Sequence, residues 1–288
     1  MNRAPRKRSP FRARAPRRGA DEPRAPAVSG VFYPDERALL EAQVDRFTAA
    51  GGKREPAAAV LVPHGSYASC GAVIGAVCAR VSWPRTVVLI GPNHTGEGQP
   101  FGLEAGGRWR TPLGDVPVDE ELARAILRRA KELKKDSRCH EREHALEVQV
   151  PFLQRQGKVR GIVPITIGPE ELAPAWRIGE AIAEEILRRT GEVQLVGTCS
   201  LTRYEPLEAV REKDPKILER LLALDGAGLA ELVSERAVSM CGAGAAAVVL
   251  AAARRLGASK GRLVRYQTSV ETGADPVSVV GYAGIVFQ

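Results

Sequence analysis

Two histidines stand just beyond short apolar runs: His64 in Pro63-His64-Gly65-Ser66-Tyr67 and His94 in Gly91-Pro92-Asn93-His94-Thr95. Two imidazoles delivered to one place make a candidate metal site. Cys241, in Met240-Cys241-Gly242-Ala243-Gly244, precedes an Ala-rich helical stretch. At a helix N-terminus the unpaired N–H groups and the dipole favour a thiolate, which binds metals or attacks electrophiles. A competing pattern is His140-Glu141-Arg142-Glu143-His144, which matches the H-x-x-E-H of inverted zinc peptidases. On a helix its two histidines share a face, so both can hold one zinc while Glu143 activates water. The chain carries no Walker A sequence and no G-x-S-x-G elbow.

These residues need a frame that brings them together. The runs Ala57 to Val62 and Thr86 to Ile90 read as buried strands, and in an open α/β sheet ligands bind outside the carboxyl ends of the strands. A third strand at Val193 to Val196 opens into Thr198-Cys199-Ser200-Leu201-Thr202-Arg203-Tyr204 at the same edge. Helices are expected from a cap at Asp35, over Ser69 to Arg80, from Asp119 to about Lys134, and over Glu143 to Leu153. Further helices are expected at Pro169 to Arg189, Pro215 to Leu224 and Cys241 to Leu256. Val159 to Ile167, Arg262 to Gln267 and Ser278 to Phe287 read as extended, and a Gly- and Pro-rich stretch to Pro117 has room for a hairpin. This alternation predicts a single layered α/β domain, with a mostly parallel central sheet flanked by helices, over residues 28–288.

Within residues 1–30, nine Lys or Arg against Asp21 and Glu22 account for seven of the eight net positive charges. The high isoelectric point therefore belongs to the tail, and it is poor evidence that the body binds nucleic acid. Residues 1–27, rich in Arg, Pro and Ala, are expected to stay disordered and to make at most weak, nonspecific contact with anions. No apolar run approaches the roughly 20 residues that cross a bilayer, so no transmembrane segment is expected. Five cysteines, an odd number without a CxxC pair or an apolar leader, imply reduced thiols and a cytoplasmic location.

With these segments in order, residues 28–288 resemble the Memo family, of the type found in AmmeMemoRadiSam systems. The resemblance rests on Ser29-Gly30-Val31-Phe32-Tyr33-Pro34, the His64 and His94 motifs, Glu143-His144-Ala145-Leu146-Glu147-Val148-Gln149-Val150-Pro151-Phe152-Leu153, Cys241-Gly242 and Val279-Val280-Gly281-Tyr282-Ala283. It implies a fold like that of class III extradiol dioxygenases, which use non-haem iron. It also implies a metal held by His64, His94 and Cys241, with His144 lining the pocket, and a functional link to AMME-type and radical-SAM proteins. Two departures stand out. Where the family usually has Ser-Ser-Asp-Leu-Ser-His-Tyr, this chain places Ser200 at the Asp and Arg203 at the His, and Gly65-Ser66 replaces the usual Ala-Gly. Arginine stays protonated, so Arg203 can hold an anion or oxyanion but cannot shuttle a proton near neutral pH.

The expected function is a metal-dependent, dioxygenase-like oxidoreductase acting on a small molecule or peptide. Iron or copper is the expected metal, with zinc a further option, because imidazole and thiolate suit all three. His144, Glu143 and Arg203 are the candidate catalytic residues. The alternative is a non-catalytic binding protein that keeps the fold without the proton-transfer histidine, and the third reading is the zinc peptidase.

Overall fold

The computed structural model describes residue 19 and residues 22–49, 51–168 and 172–288. In chain order the first half contains α1 (Arg37–Thr48), β1 (Ala59–Val62), α2 (Tyr67–Cys78), β2 (Thr86–Pro92), β3 (Phe101–Leu103), β4 (Arg108–Thr111), β5 (Gly114–Pro117), α3 (Glu120–Arg129) and β6 (Lys134–Lys135). The second half contains α4 (Val150–Gln154), β7 (Gly161–Ile167), α5 (Leu172–Leu187), β8 (Val193–Thr198), β9 (Arg203–Glu205), α6 (Leu207–Leu222), α7 (Gly226–Ser234), α8 (Ala243–Arg255), β10 (Gly261–Thr268) and β11 (Val279–Phe287).

Strands β1, β8, β2 and β7 lie side by side and parallel at the centre of a sheet ordered β10-β11-β1-β8-β2-β7-β3-β6, with β9 paired to β11. Their residues are almost wholly buried, which is why they read as unbroken apolar runs without alternation. The flanks are antiparallel: β11 returns against β1 and carries β10, while β3 runs against β7. The connections β1-α2-β2 and β7-α5-β8 cross the sheet in opposite directions, so right-handed crossovers place α2 and α5 on opposite faces. Helix α1 packs on α2, and α8 packs on α5 and against β1, β2 and β8. Among the described residues, no helix is long and apolar enough to cross a membrane.

Several elements depart from the sequence reading. Asp35 does not cap α1, which starts after Glu36, and no side chain accepts from its first turn. Asp119 does cap α3, accepting from the Leu122 N–H, but that helix stops at Arg129 instead of reaching Lys134. The stretch expected as one helix from Glu143 to Leu153 divides into a 3₁₀ turn at Glu147–Gln149 and the short α4, preceded by another 3₁₀ turn at Arg138–His140. Helix α6 begins at Leu207, eight residues before its expected start at Pro215, and runs through that proline. A tertiary anchor outweighs the lost backbone bond there, because buried Asp214 accepts from the Thr202 N–H at 2.9 Å and from the Tyr266 hydroxyl at 2.8 Å. The start expected at Pro169 lies outside the described residues.

The expected tail requires a correction at its inner end. Residues 1–18, 20 and 21 lie outside the described residues, but 22–27 are built into the body. Arg24 is fully buried, and its N–H and C=O bond with Arg108 and Arg110 of the β4–β5 hairpin. Its guanidinium lies 4.3 Å above the Trp109 ring and donates to the His140 carbonyl at 2.8 Å, to the Glu143 carbonyl at 2.7 Å and to the Glu147 carboxylate at 2.5 Å. Composition alone assigned this arginine to the charged tail, whereas a buried carboxylate and two open carbonyls compensate its charge inside the fold.

Candidate metal centre

The parallel strands end level with one another: Val62 of β1 stands opposite Thr198 of β8, and Pro92 of β2 opposite Ile167 of β7. His64 and His94 follow two of these ends, and Cys241 arrives from the loop before α8. An antiparallel backbone bridge to Ser200 holds Cys241, with N–H to C=O distances of 3.0 and 3.1 Å. Gly242, directly after it, has φ +79°, and a Cβ there would lie 2.7 Å from the Thr198 carbonyl oxygen. Only glycine permits both the left-handed turn and that approach, which seats the cysteine over the ends of the strands.

One donor atom from each of His64, His94 and Cys241 can be chosen so that all three lie within 4.8 Å of one another. The other nitrogen of each ring is already committed. His64 Nδ1 bonds the Thr198 hydroxyl, and His94 Nδ1 donates to Glu143 Oε1 at 2.8 Å. Because a carboxylate only accepts, His94 Nε2 is left to face Cys241 Sγ, 3.0 Å away. Glu143 is further fixed by accepting from the His94 backbone N–H at 2.6 Å and the Ala145 N–H at 2.9 Å. His144 stacks on His94 with ring centroids 4.6 Å apart and meets Phe32 edge-on at 5.1 Å. His94, Glu143 and His144 form a second close group of metal-capable side chains.

The three histidines differ in electrostatic setting. Burial, joined by the positive charge of His94, His144 and Arg203, holds the His64 pKa well below the ordinary histidine value. Burial also lowers His144, against the pull of Glu143. Burial would lower His94 too, but hydrogen bonds to Cys241 and Glu143 and their negative charge outweigh it and raise it to about 9. Burial pulls Glu143 upward, and its bond to His94 wins and leaves it lowered.

The family model described as Memo-like protein matches residues 24–286. The chain belongs to the Memo family. A MEMO1 family protein of Methanopyrus kandleri is 39% identical over 282 residues, spanning 92% of this chain and 99% of that one. A MEMO1 family protein of Caldivirga maquilingensis is 37% identical over 277 residues, with coverage of 92% and 98%. Among solved structures, an uncharacterized protein from Escherichia coli K12 superposes with a TM-score of 0.56 over 79% of this chain and 98% of that one. At 15% identity that likeness is one of fold alone. The Memo model starts at Arg24, the residue that the structure ties to Glu143 and Glu147.

In this Memo-family chain the H-x-x-E-H reading fails on geometry. Residues 141–146 are not helical, so His140 and His144 do not share a helix face. His140 instead packs edge-on against Trp109 at 5.6 Å, while Glu143 serves His94. Arg203 lies outside both donor groups. It lines a cavity of about 1100 Å³ that also exposes His94 and Cys241. Sequence reasoning missed Thr198, Arg24 and Gln149, whose side-chain amide donates to the Pro63 carbonyl at 2.9 Å and braces the loop before His64. Thr198 stood in the quoted loop after the third strand. Nothing in the sequence marked its pairing with a residue 134 positions away.

Proposed function

We propose that this protein holds a transition metal on His64, His94 and Cys241 and uses it in oxidoreductase chemistry on a small molecule. The observation that carries the reading is the commitment of both Nδ1 atoms to Thr198 and Glu143, which leaves two Nε2 atoms and one thiol for a common ligand. Donors on a tetrahedral metal at 2.0–2.3 Å lie about 3.3–3.6 Å apart, a spacing compatible with these donors. Iron, copper or zinc would supply an electrophilic centre there, and iron or copper would add electron transfer. Glu143 and Thr198 orient the ligands. His144, with its pKa lowered, is a neutral base near pH 7 that can take a proton from a substrate bound beside His94. Arg203 cannot take that part, and its charge suits an anion or oxyanion. The five free cysteines fit a reducing cytoplasm, and the link to AMME-type and radical-SAM proteins belongs to this reading.

Elemental mass spectrometry of protein purified without chelators tests it. About one metal per chain is expected in the wild type, with loss in His64→Ala and Cys241→Ser. A folded wild type that takes up no Fe(II), Cu(I) or Zn(II) would reject the metal and favour a binding protein that keeps the cleft. One observation favours a second reading: Glu143, His94 and Cys241 form a continuous hydrogen-bonded chain, the arrangement of an activated thiol. Rapid alkylation of Cys241 that bound metal does not slow would support that thiol chemistry.

A further inference from the structure

Beside the candidate metal centre, Arg203, Tyr204 and Arg236 line the same cavity as His94 and Cys241. Among the described residues no Asp or Glu lines it, and the fixed charges they place on its wall, those of Arg203 and Arg236, are positive. Arg203 is rigidly mounted. Its backbone pairs with Val280 of β11, its N–H donates to Ser239 Oγ at 2.9 Å, and the Ser239 hydroxyl donates back to the Arg203 carbonyl at 3.2 Å. The guanidinium lies 4.9 Å from the centre of the Tyr204 ring, and among the described residues it forms no ion pair and donates no hydrogen bond. Tyr204 has φ +56°, a conformation a bulky residue adopts only where its surroundings impose it, and it is 67% exposed. Arg236 also has positive φ, at +55°, and is exposed.

A half-buried guanidinium, fixed by its backbone, stacked on an aromatic ring and lacking a described carboxylate partner, presents its N–H fork to the cavity's contents. That fork matches the paired oxygens of a carboxylate or phosphate. The exposed tyrosine ring gives such a ligand an apolar surface next to the charge. We propose that the substrate of this site is an anionic small molecule whose carboxylate or phosphate is bound by Arg203, with the remainder of the molecule lying along the cavity toward His94 and Cys241. Arg236 adds a second, weaker attraction. This assignment rests on reading the cavity as the place of reaction, and it makes Arg203 a substrate-binding group where the family's usual histidine would move a proton.

Calorimetric titration of the full chain, metal-free and zinc-loaded, with benzoate, uncharged benzamide and inorganic phosphate tests the proposal. Wild type is expected to bind benzoate about tenfold or more tightly than benzamide, the scale of one charge-assisted hydrogen-bonded pair. Arg203→Gln should remove that preference, Arg203→Lys should restore part of it, and Arg236→Gln should weaken binding by less than about threefold. Phosphate competing with benzoate in an Arg203-dependent way extends the site to phosphates, and benzoate binding alone narrows it to carboxylates. Equal binding of benzoate and benzamide, unchanged affinity in a folded Arg203→Gln, or no saturable binding of benzoate or phosphate by wild type overturns it. Metal content measured on the same samples separates the two claims. Arg203-dependent anion binding by a chain that takes up no metal removes the metal function and leaves the anion site, and metal uptake with charge-blind binding does the reverse.

Discussion

Two arginines flank the centre and face opposite situations. Arg24 is buried, and its donors reach the His140 and Glu143 carbonyls and the Glu147 carboxylate, with Trp109 beneath it. Glu147 is saturated in turn, accepting also from the Ala27 and Val28 N–H groups and the Tyr33 hydroxyl. Arg203 lies on the cavity wall, and among the described residues its guanidinium has the Tyr204 ring against it and no ion pair or hydrogen bond. The clamp spends its guanidinium on the Ala25 and His140 carbonyls and on fastening Glu143 and Glu147, and so on placing the carboxylate that orients His94. The cavity-wall arginine leaves its side-chain donors without an acceptor among the described residues. The same side chain is thus scaffold where the fold satisfies it and a candidate binding group where the fold does not.

The contrast can be broken most severely at Arg24. Arg24→Ala leaves the Glu147 carboxylate buried without its cation, and urea unfolding should show a loss of about 3–5 kcal/mol. Glu143→Gln keeps shape but not charge, and it should weaken metal binding about 10- to 100-fold in a competition titration while leaving Arg203-dependent anion binding in place. The pH dependence follows from His94. Its raised pKa means that the proton stabilises the metal-free fold fully below the unfolded value of 6.5, and this contribution is lost as pH rises through about 9. His64, lowered, has the opposite sign: its contribution is present above 6.5 and is lost as pH falls below it. A metal must displace the His94 proton, so metal affinity should rise about tenfold per pH unit up to about 9, and a flat profile from pH 7 to 9 would contradict the role of His94. The smallest effect sharpens the comparison: Arg203→Gln should change stability by less than about 0.5 kcal/mol, and a loss near that of Arg24→Ala would show Arg203 to be scaffold as well.

Much of the frame was legible in local pattern. The apolar runs at 86–90 and 193–196 are strands because both faces of a central parallel sheet are covered, and Asp119 caps its helix through a bond three residues away. Histidines just past strand ends could be placed at one crevice by topology alone. The helix drawn through Glu143 failed because contacts from distant residues decide that segment: Arg24 takes the His140 and Glu143 carbonyls, and Glu143 reaches across to His94.

The sequence by itself therefore determined the central strands, most of the helices and the types of donor carried just past the strand ends, since each depends on residues within a few positions of one another. Only the tertiary structure decided which nitrogen of each histidine stays free, which arginine is clamped and which faces the cavity, and that Arg24 belongs to the folded body. Those outcomes depend on pairs such as Arg24 with Glu147 and His64 with Thr198, separated by 123 and 134 positions. Such pairs form only when packing removes water and leaves each polar group to find its partner inside the protein.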